Sequence, residues 1–182
     1  MAFNNRIESA IACLLKFWDD YLMDHDNVAF LKYNLNIEQT FSLEPKNRNS
    51  FAKRDAIERS TSPKERTCLY DAIIEGYKIL RHSPNKKGRK YLILISDGAD
   101  TASIKDWQDA FNIVDAHAWE YTFIGIGMGL NDEEVSKLEP LCVHSLEGRY
   151  MDFEIEECVK TFEVISGYAA HSNDLEYYRE YI

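Results

Sequence analysis

Residues 90–103 read K-Y-L-I-L-I-S-D-G-A-D-T-A-S, and this stretch decides the fold. Tyr91 to Ile95 is an unbroken apolar run, the most strand-like in the chain. An alternating pattern would leave one face wet, whereas an unbroken run suits a parallel strand covered on both faces. The run stops at Ser96-Asp97-Gly98, whose residue types favour a turn. Beyond it, Ser103 with Asp106 three residues on reads as a helix cap. Trp107, Ala110, Phe111, Val114 and Ala118 then recur at helical spacing.

The same alternation of strand and helix extends in both directions. Upstream, Leu69, Ala72, Ile73, Gly76 and Leu80 form a helical stripe, broken before residue 90 by Pro84 and Gly88. Ile7, Ala10, Ile11, Leu14, Leu15, Trp18 and Leu22 form another near the start, ending at the polar turn Asp24–Asn27. Val28 to Tyr33 follows as a buried strand. Ile37 to Leu43 alternates, so it reads as a strand with one solvated face, at an edge. The polar stretch from Glu44 to Arg66 contains Pro45, Pro63 and a short helix around Phe51 to Arg59. Downstream, Tyr121 to Ile126 is a further buried strand. Asn131 with Glu134 is a capping box opening a helix through Leu138. Arg149 to Phe153 reads as a last strand, before a helix with Ile155, Cys158, Val159 and Phe162 inward. Strands alternating with such helices predict a three-layer α/β/α sandwich on a mostly parallel central sheet. The expected organisation is one domain over residues 1–170, with an acidic, Tyr-rich tail over 171–182 that is loosely held from Asn173.

The totals exclude several functional classes. Of 182 residues, 45% are apolar and 29% charged, the balance of a globular rather than a disordered chain. A formal charge of -10 argues against nucleic-acid binding, which needs clustered cations for phosphate. The short basic cluster Lys86, Lys87, Arg89 and Lys90 reads as a solubilising loop. No stretch has the length of a membrane span. Cys13, Cys68, Cys142 and Cys158 are scattered, and the N-terminus leads directly into a helix without a secretory signal. Reduced, packed thiols and a cytoplasmic setting are therefore expected.

Two blocks carry more than periodicity: Lys90–Ser103, with Ser96-Asp97-Gly98 and Asp100-Thr101, and Thr67–Ile73, T-C-L-Y-D-A-I, at a helix start. With Arg6-Ile7-Glu8, Asn27–Asn34 and Tyr121–Gly127 in the same order, the chain resembles the von Willebrand factor A family over residues 3 to 165. The resemblance implies a protein-interaction module without enzymatic activity. It further implies a metal-ion-dependent adhesion site at the carboxyl ends of the strands, where Mg²⁺ bridges to an acidic residue of a partner protein. By matching motifs, Thr67 is the hydroxyl ligand and Asp97 the strand-end carboxylate. The D-x-S-x-S motif that supplies the remaining ligands does not occur here. Met1 stands where that motif would be ending, so the family's first strand is expected to be missing. In the family it lies between the strands at Val28–Tyr33 and Tyr91–Ile95. Those two must pair directly, leave a gap, or accept a strand from elsewhere, and an incomplete chain is the simplest expectation. Thr67 and Asp97 alone make a partial site, too few oxygens for Mg²⁺. Mg²⁺ is thus expected in a complete form and no cofactor in this chain.

Other features read as structural. Gly125, Gly127 and Gly129 lie after a strand, but the dinucleotide fingerprint needs a different spacing opening a helix. Asp71 suits the dipole of its helix, Asp100 a solvated loop, and Cys68 a packed position. His25, His82, His117, His144 and His171 show no metal-ligand spacing. Two rivals stand beside the interaction module: a small α/β enzyme or nucleotide-binding domain using the strand-end crevice, and a degenerate structural domain or fragment.

Overall fold

The computed structural model describes residues 3–60, 66–83, 88–154, 158, 160, 163 and 180–181. Its elements run α1 (Phe3–Asp20), β1 (Asn27–Tyr33), β2 (Ile37–Pro45), α2 (Ser50–Glu58), α3 (Leu69–Arg81), β3 (Lys90–Ser96), α4 (Trp107–Ala116), β4 (Tyr121–Gly127), α5 (Asp132–Val143), β5 (Arg149–Asp152) and β6 (Glu180–Tyr181). They form the three-layer α/β/α arrangement that the alternation predicts. Among the described residues the sheet has six strands in the order β2-β1-β6-β3-β4-β5. Only β2 is antiparallel, paired with β1 at the edge as its half-polar pattern predicts.

The two faces of the sheet divide the apolar residues by parity. Leu92 and Leu94 of β3 and Tyr121 and Phe123 of β4 pack with Ile73, Tyr77, Leu80, Val114, Leu138 and Leu141 of α3, α4 and α5. Tyr91, Ile93, Ile95, Ile124 and Ile126 point the other way, toward Cys13, Phe17 and Trp18 of α1 and Ile57 of α2. Successive strand side chains point to opposite faces, so an unbroken apolar run serves both layers at once. In β4 every residue is buried; in β3, Ile93 and Ile95 are only partly so.

Several local expectations change. The cap of α4 is Asp106, which forms a capping box with Asp109, because Ser103 is engaged elsewhere. The Asn131–Glu134 box does open α5, but that helix runs to Val143 with Pro140 inside it. Lys90 is not part of a solubilising loop: it is buried at the start of β3, with Nζ 5.2 Å from the centroid of the Tyr121 ring. Arg89 pairs with Glu147 at 3.7 Å, and Lys86 and Lys87 lie outside the described residues. Of the last helix, Cys158 is helical and buried as expected, while Ile155, Val159 and Phe162 lie outside the described residues. No helix among the described residues is long and apolar enough to cross a membrane.

The largest departure is at the centre of the sheet. β6 comes from the tail that reads as loose, and lies parallel between β1 and β3. Glu180 sits opposite Asn27 and Lys90, and Tyr181 opposite Val28 and Tyr91. The place of the expected missing strand is therefore occupied at its base by two residues of the chain itself. Above them, among the described residues, no strand separates Ala29–Tyr33 from Leu92–Ser96.

Candidate functional site

The site is built where β1, β3 and the start of α3 meet. β3 ends at Ser96, whose hydroxyl donates to the Gly98 carbonyl at 2.9 Å and turns the chain. Asp97 follows directly. The α3 segment arrives with Cys68 N–H donating to the Asn34 carbonyl at 2.7 Å, which anchors it to the end of β1. Thr67 and Asp97 consequently line the same cavity, together with Tyr33, Asn34, Arg66 and Ser96. Thr67 and Asp97, thirty positions apart in the sequence, thus both contribute to the lining of this cavity.

A hydrogen-bonded latch fixes this corner. α3 has no capping side chain of its own at Cys68. Asp100, from the loop after β3, supplies it: its Oδ1 accepts from Leu69 N–H at 2.7 Å and from the Ser103 hydroxyl at 2.5 Å. Ser103 Oγ in turn accepts from Asp71 N–H at 3.1 Å. Asp71 reaches back across, accepting from Ile104 N–H at 2.8 Å and Lys105 N–H at 3.0 Å. Thr67 and Thr101 close the set, with Thr67 N–H donating to Thr101 Oγ1 at 2.9 Å and Thr101 N–H to the Thr67 carbonyl at 2.8 Å. Carboxylates at helix N-termini satisfy otherwise unpaired N–H groups. Asp100 is thus a cap rather than a solvated loop residue, and Asp71 holds the loop as well as suiting the dipole. The latch leaves Ile104 93% exposed beside the site.

Mg²⁺ needs about six oxygens in near-octahedral order. Asp71 and Asp100, the nearest further carboxylates in the latch, already accept from backbone N–H groups or a hydroxyl. Thr67 and Asp97 remain as donors, and this set does not fit the ion. Among the described residues no group of three or more His, Cys, Asp or Glu could hold a metal.

The remaining candidates take structural roles. Cys68 is buried, and burial pushes its thiol up, with Asp71 and Asp100 adding to the shift. Its thiolate is disfavoured at neutral pH. His117 and His144 pair at the surface with Glu120 at 3.3 Å and Asp115 at 2.7 Å, while His171 lies outside the described residues. A Cβ on Gly125 would stand 2.5 Å from Cys142 Sγ, and Gly129 has φ +74°. These glycines serve packing and a turn.

Comparisons with known proteins bear on the fold. No curated protein matches the chain. Among solved structures, the chain is similar to a von Willebrand factor type A protein from Catenulispora acidiphila, with 17% identity, TM-score 0.65, and coverage of 89% of this chain and 38% of that one. It is similar to proximal thread matrix protein 1 from the mussel byssus, a structure with a zinc-occupied MIDAS (metal-ion-dependent adhesion site) motif, with 17% identity, TM-score 0.64, and coverage of 91% and 41%. A conserved hypothetical protein, BatB, from Bacteroides thetaiotaomicron matches with 15% identity, TM-score 0.64, and coverage of 91% and 89%. The chain thus spans well under half the length of the first two. The sequence profile of the von Willebrand factor type A domain matches residues 4–157, and the chain belongs to that family.

Proposed function

We propose that the chain is a non-enzymatic protein-interaction module whose contact face is the corner around Thr67, Asp97 and Ile104. Domains of this family are generally interaction modules. The observation that carries the reading is that Thr67 and Asp97 both line one cavity, Asp97 directly after the carboxyl end of β3. Open α/β sheets place their ligands there. The latch makes the corner rigid, and Ile104 gives it an exposed apolar contact. The partner binds without a resident Mg²⁺, because the donor set is too small. A more complete site would take Mg²⁺ and an acidic partner residue. A cytoplasmic location is part of the same proposal and rests on the four reduced thiols.

The test is quantitative affinity capture from the native source with the full chain and with Thr67→Ala, Asp97→Asn and Ile104→Ala, each verified as folded by circular dichroism. The same partner should be depleted about ten-fold or more in all three, a loss of roughly 1.4 kcal/mol or greater. Stabilisation of the chain by nucleotides in a thermal-shift panel, with capture unaffected by the three substitutions, overturns the reading in favour of a nucleotide-binding domain.

A further inference from the structure

Four buried thiols are present, and two of them meet. Cys13 sits on the inner face of α1. Cys158 belongs to a helical turn after β5, where its N–H donates to the Glu154 carbonyl at 2.9 Å. The two side chains lie in one apolar cluster with Phe17, Trp18 and Leu22, and a hydrogen bond joins their thiols. A second contact holds the same two segments together further along: the Tyr21 hydroxyl donates to Glu163 Oε1 at 3.3 Å. Glu163 is helical, like Cys158. The other two thiols lie elsewhere. Cys142 is buried in the opposite layer, and Cys68 precedes α3, bound through its N–H to the Asn34 carbonyl.

We propose that Cys13 and Cys158 are a modification site for a small hydroperoxide, which converts them to a reversible disulfide stapling α1 to the segment after β5. Cys13 is 6% exposed and Cys158 not at all, so Cys13 is the first that a reagent reaches. Its thiolate, formed on transient opening, attacks a peroxide oxygen: an S–O bond forms, the O–O bond breaks, and the leaving oxygen takes a proton. The sulfur of Cys158, having lost its proton, then attacks the sulfur of Cys13. The S–S bond forms, the S–O bond breaks, and hydroxide leaves to be protonated to water. With hydrogen peroxide, two thiols lose two hydrogens and the oxidant becomes two waters. The apolar wall around the pair keeps bulkier thiols and disulfides out, so Cys158 is the nucleophile that the sulfenic acid meets. The closed loop runs from residue 13 to residue 158, nearly all of the family-matched stretch 4–157. Constraint of the unfolded chain grows with the loop that a disulfide closes, so the oxidised form is the more stable one.

The experiment treats the full, reduced chain with hydrogen peroxide under native conditions and maps its peptides without reduction. A single cross-linked peptide, Cys13 to Cys158, should appear, with two hydrogens lost from the intact mass and full recovery in dithiothreitol. Its formation should quicken as pH rises, because the thiolate is the attacking species. In urea the oxidised chain should have an unfolding equilibrium constant about thirty-fold or more below that of the reduced chain. Cys13→Ala and Cys158→Ala should each abolish the cross-link, and Cys68→Ala should leave it intact. The peptide map of the unaltered chain decides the matter even where a core substitution disturbs folding. A cross-link through Cys68 or Cys142, a disulfide between two chains, or sulfinic acid on Cys13 beside a free Cys158 overturns the proposal. So does a Cys13–Cys158 disulfide that leaves the chain no more stable than its reduced form.

Discussion

Asp100 shows how one carboxylate can organise a site it does not occupy. It caps α3, binds Ser103, and so fixes the loop that presents Asp97 on one side and Ile104 on the other. Replacing an N-terminal cap costs about 0.5–2 kcal/mol, whereas substitutions at exposed positions outside such networks stay within about 0.5 kcal/mol. Asp100→Ala should therefore lower the free energy of unfolding in urea by about 2 kcal/mol, and Asp97→Asn should leave it almost unchanged. The reverse order would mean that Asp97, not Asp100, holds the corner. Thr67 and Asp97 were legible in the sequence because motifs at strand and helix ends mark them. The role of Asp100 was not, because it depends on a loop returning to a helix about thirty residues upstream. In the structure Cys68 stands at the cap position without a side-chain bond to the helix, and Asp100 supplies that bond instead.

At the level of elements, the strands that carry unbroken apolar runs were readable, and β6 was not. Periodicity needs several residues, and β6 has two, set in a charged, Tyr-rich segment. Its position is set by the pairing partners on either side, which is information held in β1 and β3. Tyr181→Pro removes an amide donor from the middle of the sheet. Exchange at Val28 and Tyr91 should quicken, with a loss of roughly 1 kcal/mol in stability, while β4 stays protected. Unaltered exchange at both positions would show that β6 is not seated there in solution. β4 is the opposite case. Its burial is complete, and Gly125 lies against Cys142 Sγ, so Gly125→Val inserts volume where none is free. A loss of about 1–3 kcal/mol is expected in denaturant melts, and a neutral result would mean that α5 can move away from the sheet.

For the molecule as a whole, the three layers follow from the pattern of strands and helices, but the inequality of the two helical layers does not. On one face α3, α4 and α5 close over β3 and β4, with Cys142 fully buried among them. On the other, α1 covers the gap between β1 and β3, and Cys13 lies in it against Cys158. Both thiols are held protonated: Cys13 by its hydrogen bond with Cys158 and then by burial, Cys142 by burial. A raised thiol pKa means little thiolate at neutral pH, so alkylation of either requires opening of the structure and quickens as pH rises. Opening costs least where apolar contact is least complete. Pulsed alkylation read by mass spectrometry should therefore modify Cys13 at least about ten-fold faster than Cys142 in the native protein, with both rates converging in denaturant. Equal rates for the two thiols would mean that the two layers open together.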